Sequence, residues 1–423
     1  MPEMHQTIPL SEALLMIDHA VGATRLPAQT VPVRDSLGRT LVVDQASRLD
    51  LPPFNKSAMD GYAVLAGDER GSYRLLETVP AGCVPSCKLE PGTTIKVMTG
   101  APVPDGAGKV IMVEDTSANG DAVQVLRHGS ASNICVQGED VRTGDVIMRA
   151  PAVLGPVEIG NLIACGICEV EVAARPRVCI LATGAEIVDS PDQLRPGRIM
   201  NSNGPMLAAL CQAYSLDVAG EWIVPDERAA TAAAIRDALD ASDIVLLTGG
   251  VSVGDFDYVC QALADAGLRP HFSGVAVKPG KPATFAAGDG KAVFGLPGNP
   301  VSVYLMFHLL VLRAVRLLTG GEPESRSLEL PLAADYQRRR AERTEYIPCR
   351  LSQKGKVIPA KSHGSADLRA LLGCDGFFVV PQGIASVCAG DVVKLILTRP
   401  LWANSFDGRQ ASGQNPPAPG GVQ

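Results

Sequence analysis

A short apolar run that ends in two glycines, within the stretch 243–258 (DIVLLTGGVSVGDFDY), most constrains the fold of this chain. Residues 244–248 are continuously apolar or small, which is typical of a strand buried on both faces of a parallel sheet. After Thr248, the missing side chains of Gly249 and Gly250 would let backbone N–H groups approach a ligand closely. A helix-like spacing of apolar residues follows, and a glycine loop before a helix start favours a negatively charged ligand.

Two carboxylates, Asp255 and Asp257, lie beside this anion-type loop. Acids at a phosphate-type loop make sense if a cation lies between carboxylate and phosphate. The alternative is a plain loop with two acids that cap the following helix. The stretch alone leaves the two interpretations level.

Composition and charge exclude several classes of protein. The chain has 423 residues, of which 46% are hydrophobic, so it can bury several cores. The aromatic content of 4% and the net charge of -7 argue against single-stranded nucleic-acid platforms and against broad nucleic-acid or anionic-membrane surfaces. The N-terminus has no signal-peptide pattern, and no segment has about 18 uncharged apolar residues. Eleven scattered cysteines do not resemble a disulfide framework, so we expect a cytoplasmic protein.

The order of predicted elements divides the chain into regions. Short strand-like pieces separated by Gly/Pro turns fill residues 51–140, and the stretch 151–166 reads as a helix with Pro151 near its start. Strands and helices alternate over residues 177–325, which predicts an α/β unit with a mostly parallel sheet. Short strands return at 326–402, and the Gly/Pro/Ser/Gln-rich tail 403–423 is predicted to be disordered.

Six stretches place acids, lysines or small polar residues at glycine or proline loops, several of them at predicted strand ends. Each alone is at least as well explained by an ordinary turn, but their repetition at the sheet edge where α/β folds bind ligands favours a phosphorylated ligand with a metal. Lysines could neutralise an oxyanion, and prolines would stiffen its loops. The candidates are Asp60, Thr99, Asp140, Glu186, the opening stretch, and Lys278 and Lys281 together with Pro297 and Pro300.

The motifs SAMDGYA, MTGAPVP, TGGVSVGDFDY, KPGKP and GLPGNPVS, in this order, resemble the molybdopterin molybdenumtransferase family, which includes the C-terminal part of gephyrin. The resemblance covers about residues 8–400. It implies insertion of molybdenum from molybdate into adenylylated molybdopterin, with a divalent cation, usually Mg²⁺, and release of AMP. It also implies an elongated homodimer whose cleft is shared between subunits, and a possible handover from a molybdopterin adenylyltransferase. The implied domains are a discontinuous linker domain (1–50 and 141–176), an inserted β domain (51–140), an α/β molybdopterin-binding domain (177–325) and a C-terminal β-barrel (326–402).

The resemblance also implies roles for individual residues. Asp60, Asp140, Glu186, Asp226 and Asp257 would be the catalytic acids, and the last three of these would hold the metal. Molybdopterin's own sulfurs would bind molybdenum, so no protein cysteine is expected to do so. The expected substrate-binding residues are Thr99, Thr248, Gly249, Gly250, Ser252, Lys278, Lys281, Pro297, Pro300, Ser362 and Ser365, with His363 beside them.

One residue departs from the family pattern, since Ala185 stands where the family usually has Asp before Glu186. Metal affinity would fall if that carboxylate helps to bind the cation. Two other functions are alternatives. A molybdopterin adenylyltransferase usually has a different continuation of the glycine loop and no β insertion. A non-catalytic molybdopterin-binding or scaffold protein would be expected to lose the acids, and all five are present.

Overall fold

The computed structural model describes residues 7–225, 227–249 and 256–399, and for residues 256–258 it describes the backbone alone. Three predicted site residues, Asp226, Gly250 and Ser252, lie outside these ranges, as does the predicted tail. Asp257 lies on a helix, but its side chain is not among the described ones.

The described helices are short except for one composite helix near the end of the α/β region. Its two α-helical parts flank a π-helical segment, Phe307–Val311. In order, the helices are α1 (Leu10–Val21), α2 (Pro156–Ala164), α3 (Asn203–Ala213), α4 (Arg228–Ala241), α5 (Phe256–Asp265), α6 (Pro300–Met306) and α7 (Leu312–Leu318).

Residues Ala28–Val172 form one compact unit made almost entirely of short strands. These strands are β1 (Ala28–Pro32), β2 (Thr40–Leu41), β3 (Gln45–Ala46), β4 (Lys56–Ser57), β5 (Gly61–Leu65), β6 (Ser72–Val79), β7 (Thr93–Val97), β8 (Ala107–Met112), β9 (Thr116–Asn119), β10 (Ala122–Val125), β11 (Ile134–Cys135), β12 (Val146–Met148), β13 (Ala152–Val153) and β14 (Glu169–Ala173, whose last residue lies outside the unit).

The main sheet of this unit has six strands in the order β8-β5-β7-β6-β10-β9. Ala63, Ile95 and Val110 lie in its core, separate from the core around Leu41 and Leu162. Strands β5 and β7 pair antiparallel, with Gly61 opposite Val97. The residues just before β5 and just after β7 are therefore neighbours at one end of the sheet.

The prediction of a helix starting near Pro151 was wrong. Residues 152 and 153 form β13, which pairs with β2, and α2 begins only at Pro156. Proline at the first helical position costs no hydrogen bond. The Glu158 carboxylate accepts a hydrogen bond from the backbone N–H of Gly155 at 3.0 Å and fixes this start.

The second compact unit contains α1 and the chain from Ala173 onward. Arg313 of α7 donates two 2.6 Å hydrogen bonds to the Asp18 carboxylate of α1. The strands of this unit are β15 (Arg177–Thr183), β16 (Ile187–Val188), β17 (Ile199–Met200), β18 (Asp217–Val224), β19 (Ile244–Thr248), β20 (Pro270–Ser273), β21 (Val277–Lys278), β22 (Thr284–Gly288), β23 (Lys291–Leu296), β24 (Ser327–Pro331), β25 (Tyr336–Gln337), β26 (Thr344–Leu351), β27 (Val357–Pro359), β28 (Gly376–Val380), β29 (Ser386–Val387) and β30 (Val392–Leu397).

The central sheet has the order β18-β15-β19-β23-β22-β20, and its first four strands are parallel. Ile180 and Leu246 point into a core shared with α1, α3 and the composite helix. Leu181 and Leu247 point into a second core with α4 and α5. Burial on both faces explains why β19 is apolar without alternation. From β15 the chain continues to β18 on one side and later to β19 on the other, so the strand order reverses between β15 and β19.

A further sheet, β21-β26-β28-β30-β24, has β27 paired to β26 and a core that includes Ile347, Phe378 and Leu395. The composite helix, Pro300–Leu318, is long and apolar enough to cross a membrane by length and composition. However, 78% of its most apolar window is buried inside the unit. It serves as a core helix of the α/β unit.

Within the π-helical segment, His308 is fully enclosed. Its Nδ1 lies 2.7 Å from the Tyr304 carbonyl, and its Nε2 lies 3.1 Å from the Tyr214 hydroxyl and 3.0 Å from the Thr398 carbonyl. Burial lowers the pKa of His308 to about 4, and the nearby Arg316 also lowers it, while the two carbonyl contacts act in the opposite direction. The folded chain therefore favours the neutral ring.

We predict that this histidine makes the fold sensitive to mild acid. Since its pKa is about 4 in the folded chain and about 6.5 when unfolded, the unfolded state binds the proton first. The free energy of unfolding should fall as the pH drops from 6.5 to 4, by up to about 3 kcal/mol. Denaturant titrations across this pH range will measure the slope. His308→Gln should flatten it, and an unchanged slope in that variant would contradict the assignment.

Candidate functional site

A tight turn at the carboxyl end of β19 lies where the strand order of the central sheet reverses. Thr248 is buried, and Gly249 follows it with φ +91°. A Cβ on Gly249 would lie 1.9 Å from the carbonyl oxygen of Thr183, the last residue of β15. Only glycine fits this approach, because the backbone angle and the contact both exclude a side chain. The predicted strand and glycine turn are thus confirmed as far as Gly249.

Asn203, the first residue of α3, ties this turn to a second loop. Its Nδ2 donates to Thr248 Oγ1 at 3.0 Å and to the Gly298 carbonyl at 2.7 Å. A Cβ on Gly298 would lie 3.7 Å from the Gly249 Cα, so the two glycine turns are adjacent. Asn203 is not among the residues predicted from the sequence. An asparagine at the start of a predicted helix indicates a helix cap and gives no indication of a contact with a distant loop.

Two polar atoms around this turn are buried without a hydrogen-bond partner among the described residues: Thr183 Oγ1 and Asn203 Oδ1. Buried polar groups are nearly always paired, so each such atom calls for an explanation. Both side chains contact the turn, since a Cβ on Gly249 would be 3.5 Å from Thr183 Oγ1 and Asn203 donates to Thr248. Two hydrogen-bonding groups without a partner among the described residues therefore lie beside the turn.

Glu186, the first predicted metal ligand, is exposed on the loop after β15, with Ala185 beside it. Its carboxylate folds over Gly184, where a Cβ would be 2.7 Å from Oε2. Within the described ranges, no three Asp, Glu, His or Cys side chains gather closely enough to hold a metal ion. The other two predicted ligands, Asp226 and the Asp257 side chain, are not described, so Glu186 contributes one available carboxylate.

Lys278 faces a basic cavity of about 300 Å³ lined also by Arg339, Arg340, Glu342 and Arg343. Four cationic side chains and one carboxylate make this cavity suited to an anion. The Lys278 ammonium is 2.7 Å from Oε1 of the buried Glu345, whose other oxygen is 3.7 Å from the buried Arg338. Lys278 is among the residues predicted from the sequence, but its partner Glu345 and the arginine loop are not.

The other predicted residues of the KPGKP turn and the proline loop lie in the same unit. Lys281 is exposed, and a Cβ on Gly280 would lie 2.6 Å from Met306 Cε of α6. Pro297 is buried, and Pro300 begins α6. Both loops are thus held against, or at the start of, the composite helix.

Ser365 is brought to the start of α6. Its hydroxyl accepts a 2.8 Å hydrogen bond from Asn299 Nδ2, and its carbonyl accepts from the Val301 N–H at 3.1 Å. Ser362 and His363 are exposed and make hydrogen bonds within their own loop, to Gly364 and Asp367. The structure therefore links Ser365, but not Ser362, to the proline loop.

In the unit 28–172, Asp60 and Thr99 form a close pair at the shared end of β5 and β7. The Thr99 N–H and hydroxyl each donate to Asp60 Oδ1 at 2.7 Å. These two hydrogen bonds hold the pKa of Asp60 below its usual range, and the backbone N–H contributes more than the hydroxyl. Asp140 is exposed on a separate loop, where its backbone N–H donates to the Leu51 carbonyl at 2.9 Å.

We predict that Thr99→Val raises the pKa of Asp60 but leaves it below the ordinary value, because the backbone donor remains. Carboxyl-carbon NMR titration will measure it. Since the folded pKa is depressed, the stability gained from this pair is present above about pH 4 and is lost as the pH falls through the folded pKa. Asp50 and Thr143 share the same arrangement. Thr143→Val should therefore shift Asp50 alone, and a shift of Asp60 in that control would contradict a local cause.

We further predict that Gly249→Ala destabilises the fold by about 2–4 kcal/mol, because the new Cβ adds a clash with Thr183 to an unfavourable backbone angle. Gly267→Ala is the matched control. Gly267 has a similar φ of +87°, but a Cβ there meets nothing within 4 Å. It should lose only about 1 kcal/mol. Equal losses of unfolding free energy for the two variants in urea denaturation would show that the clash with Thr183 adds nothing to the cost of the backbone angle.

Comparison with known proteins covers almost the whole chain. Family models match in three parts: MoeA N-terminal region (domain I and II) at residues 8–166, probable molybdopterin binding domain at 179–317, and MoeA C-terminal region (domain IV) at 330–398. A molybdopterin molybdenumtransferase of Staphylococcus aureus (strain Mu50) is 33% identical over 408 residues, which cover 94% of this chain and 97% of the relative. One of Staphylococcus epidermidis (strain ATCC 12228) is 33% identical over 384 residues, covering 88% and 91%.

Solved structures agree. The molybdopterin biosynthesis moeA protein from Pyrococcus horikoshii OT3 superposes with a TM-score of 0.78 at 30% identity, and the match covers 93% of this chain and all of that one. A second structure of the moeA protein from that organism gives a TM-score of 0.74 at 27% identity. The similarity extends over the β-rich unit, the α/β region and the C-terminal strands together.

Proposed function

Because the chain belongs to the molybdopterin molybdenumtransferase family, we propose that it inserts molybdenum from molybdate into adenylylated molybdopterin, with Mg²⁺-dependent cleavage of the phosphoanhydride and release of AMP. Family membership makes it a transferase of molybdenum cofactor biosynthesis. The adenylylated substrate, the magnesium ion and the release of AMP are the parts that we propose.

The turn at Thr248 and Gly249 is the observation that carries this proposal. It lies at the reversal of strand order, where open α/β sheets bind ligands. Its glycine packs directly against the Thr183 carbonyl, so this turn carries no side chain at position 249. We propose that this backbone holds the phosphate or pterin part of the substrate, with Gly250 and Ser252 continuing the contact and Pro297 and Pro300 shaping the floor.

Molybdate would bind at Lys278. The cavity of about 300 Å³ that Lys278 shares with Arg339, Arg340 and Arg343 is large enough for a tetrahedral dianion and is lined mainly by cations. In a chain with a net charge of -7, such a local concentration of positive charge is what a small oxyanion requires. Lys281, Ser362 and Ser365 are proposed to contact other anionic parts of the substrates.

Magnesium would be held by Glu186, Asp226 and Asp257, a set of oxygen ligands that suits this cation. Glu186 fits the role, because its carboxylate is exposed on the sheet edge that carries the glycine turn. When bound, the ion would polarise the phosphoanhydride and offset the charge that develops as it breaks. The acids of this chain would orient it, and Ala185 leaves one carboxylate fewer than is usual.

Asp60, with Asp140, is proposed to act from the β-rich unit on a substrate bound to a partner subunit in a cytoplasmic homodimer. The depressed pKa of Asp60 keeps its carboxylate ionised at neutral pH and makes it a weak base, so it would serve as a fixed negative charge and not as an acid. We also propose that the chain has the linker domain of the family and that its C-terminal strands close into a barrel.

The decisive experiment is incubation of the protein with adenylylated molybdopterin, Mg²⁺ and molybdate, with AMP followed by chromatography. We expect AMP release and formation of active cofactor, both dependent on Mg²⁺. Asp257→Ala should slow AMP release by about 100-fold, because a metal ligand is lost. Asp192→Asn, which neutralises an exposed acid of the same unit, should match the wild type.

Absence of AMP and of active cofactor would refute the proposed reaction. Wild-type rates for Asp257→Ala would refute the role of that acid alone.

A further inference from the structure

Lys96 of β7 lies beside strand β5, which Asp60 directly precedes. In the antiparallel pairing of these strands, Lys96 lies opposite Tyr62. Its neighbours Ile95 and Val97 belong to the buried core, and side chains alternate along a strand, so Lys96 lies on the other face of the sheet. Its ammonium is 5.8 Å from the centroid of the Tyr62 ring. Among the described residues, this ammonium makes no hydrogen bond and no ion pair.

The Tyr62 ring explains how the ammonium is held in place. Tyr62 is only 4% exposed, so its ring is a fixed part of the sheet. A cation over an aromatic face is attracted by the charge distribution of the ring, and this attraction leaves the three N–H donors of a lysine unused. By contrast, Lys109 of β8 in the same sheet donates to the Gly129 carbonyl. Lys96 therefore combines a defined position with free hydrogen-bonding capacity.

The positive charge of Lys96 also acts on Asp60. The two hydrogen bonds from Thr99 are the main cause of the low pKa of Asp60, desolvation acts in the opposite direction, and the charge of Lys96 lowers the pKa further. Both hydrogen bonds end on Oδ1, so Oδ2 has no hydrogen-bond partner within the described ranges. This end of the sheet thus presents a carboxylate oxygen and an ammonium that are both available to a ligand.

An ionised carboxylate beside an anionic substrate needs a compensating cation. Adenylylated molybdopterin carries negatively charged phosphates, so Asp60 alone would repel it at close range. In the unit 28–172, Lys96 supplies the positive charge that acts on this carboxylate. The acids proposed to hold Mg²⁺ belong to the other unit.

We propose that Lys96 is a substrate-binding residue of the proposed reaction, whose ammonium contacts a phosphate of adenylylated molybdopterin while that phosphate lies beside Asp60. The inference rests on the proposed function and adds a residue that was not predicted from the sequence. An ammonium is a compact point charge that suits a phosphate oxygen. Its role is to bind and not to transfer a proton, so its loss should change KM more than kcat. Molybdate is also an oxyanion, so the experiment separates the two substrates.

Lys96→Met tests the inference, because it keeps most of the stem over Tyr62 and removes the charge. In the AMP-release assay, the KM for adenylylated molybdopterin should rise about tenfold, and kcat should stay within about twofold of the wild type. The KM for molybdate should not change. Lys96→Arg retains a positive charge and should bring the KM for adenylylated molybdopterin to within about threefold of the wild-type value.

A second measurement on Lys96→Met needs no substrate. Carboxyl-carbon NMR titration should show a higher pKa for Asp60, because a neighbouring positive charge is lost. The melting temperature should change by less than about 2 °C, since Lys96 makes no hydrogen bond to the described part of the chain. A large fall in melting temperature, with an equal rise of KM in Lys96→Met and Lys96→Arg, would assign Lys96 a structural role and overturn the inference.

Lys88→Met is the matched control. Lys88 is an exposed lysine in the loop between β6 and β7, and it makes no ion pair with a described residue. Its replacement should leave both KM values, kcat and the pKa of Asp60 unchanged. A rise of KM equal to that in Lys96→Met would show a general effect of net charge and would contradict a local contact.

The outcomes separate the inference from the proposed function. Wild-type KM values in Lys96→Met would overturn the role of Lys96 in binding, and an unchanged pKa of Asp60 would overturn its placement beside that carboxylate. A rise of the KM for molybdate alone would assign the ammonium to molybdate and overturn the contact with phosphate. A wild-type protein that releases no AMP would overturn the inference together with the proposed function.

Discussion

Burial of the parallel strands on both faces is the constraint on which this structure depends. Strand β19 contributes alternate side chains to two cores, so neither face of it is free to carry polar groups. The polar groups therefore lie at the strand ends, where the chain must turn. The Gly249 turn, Asn203 and the loop at Gly298 all lie at that edge. The packing that makes the strand featureless also concentrates the polar residues in one place.

Charge in this acidic chain is arranged in compensated groups. Glu345 lies between Lys278 and the nearly inaccessible Arg338, whose guanidinium also donates to three backbone carbonyls. A buried cation with so many partners anchors the arginine loop that lines the basic cavity. The buried ion group of Glu345 and Arg338 thus fixes the positions of the side chains that line the cavity. Only its exposed cations, Lys278 among them, are available to an anion.

Features governed by local pattern were predictable from the sequence. The β19 strand, its glycine turn and the alternation of strands and helices over residues 177–325 follow from periodicity and turn chemistry. Contacts between distant segments, such as Asn203 with Gly298 and Lys278 with Glu345, were not predictable in this way. No local signal specifies such partners. The error at Pro151 has the same origin, because pairing of residues 152–153 with β2 outweighed the local helical pattern.

The pairing of Lys278 with Glu345 has a consequence for the lifetime of a bound oxyanion. A dianion bound there, as we propose, would share the Lys278 ammonium with a carboxylate that is already 2.7 Å away, so repulsion between the two anions would offset part of the attraction. Such a site would bind an anion less tightly than four cations without a carboxylate partner would. The lower affinity would appear mainly as a faster dissociation rate. A short residence time would suit the proposed reaction, in which the bound oxyanion is a substrate that is consumed.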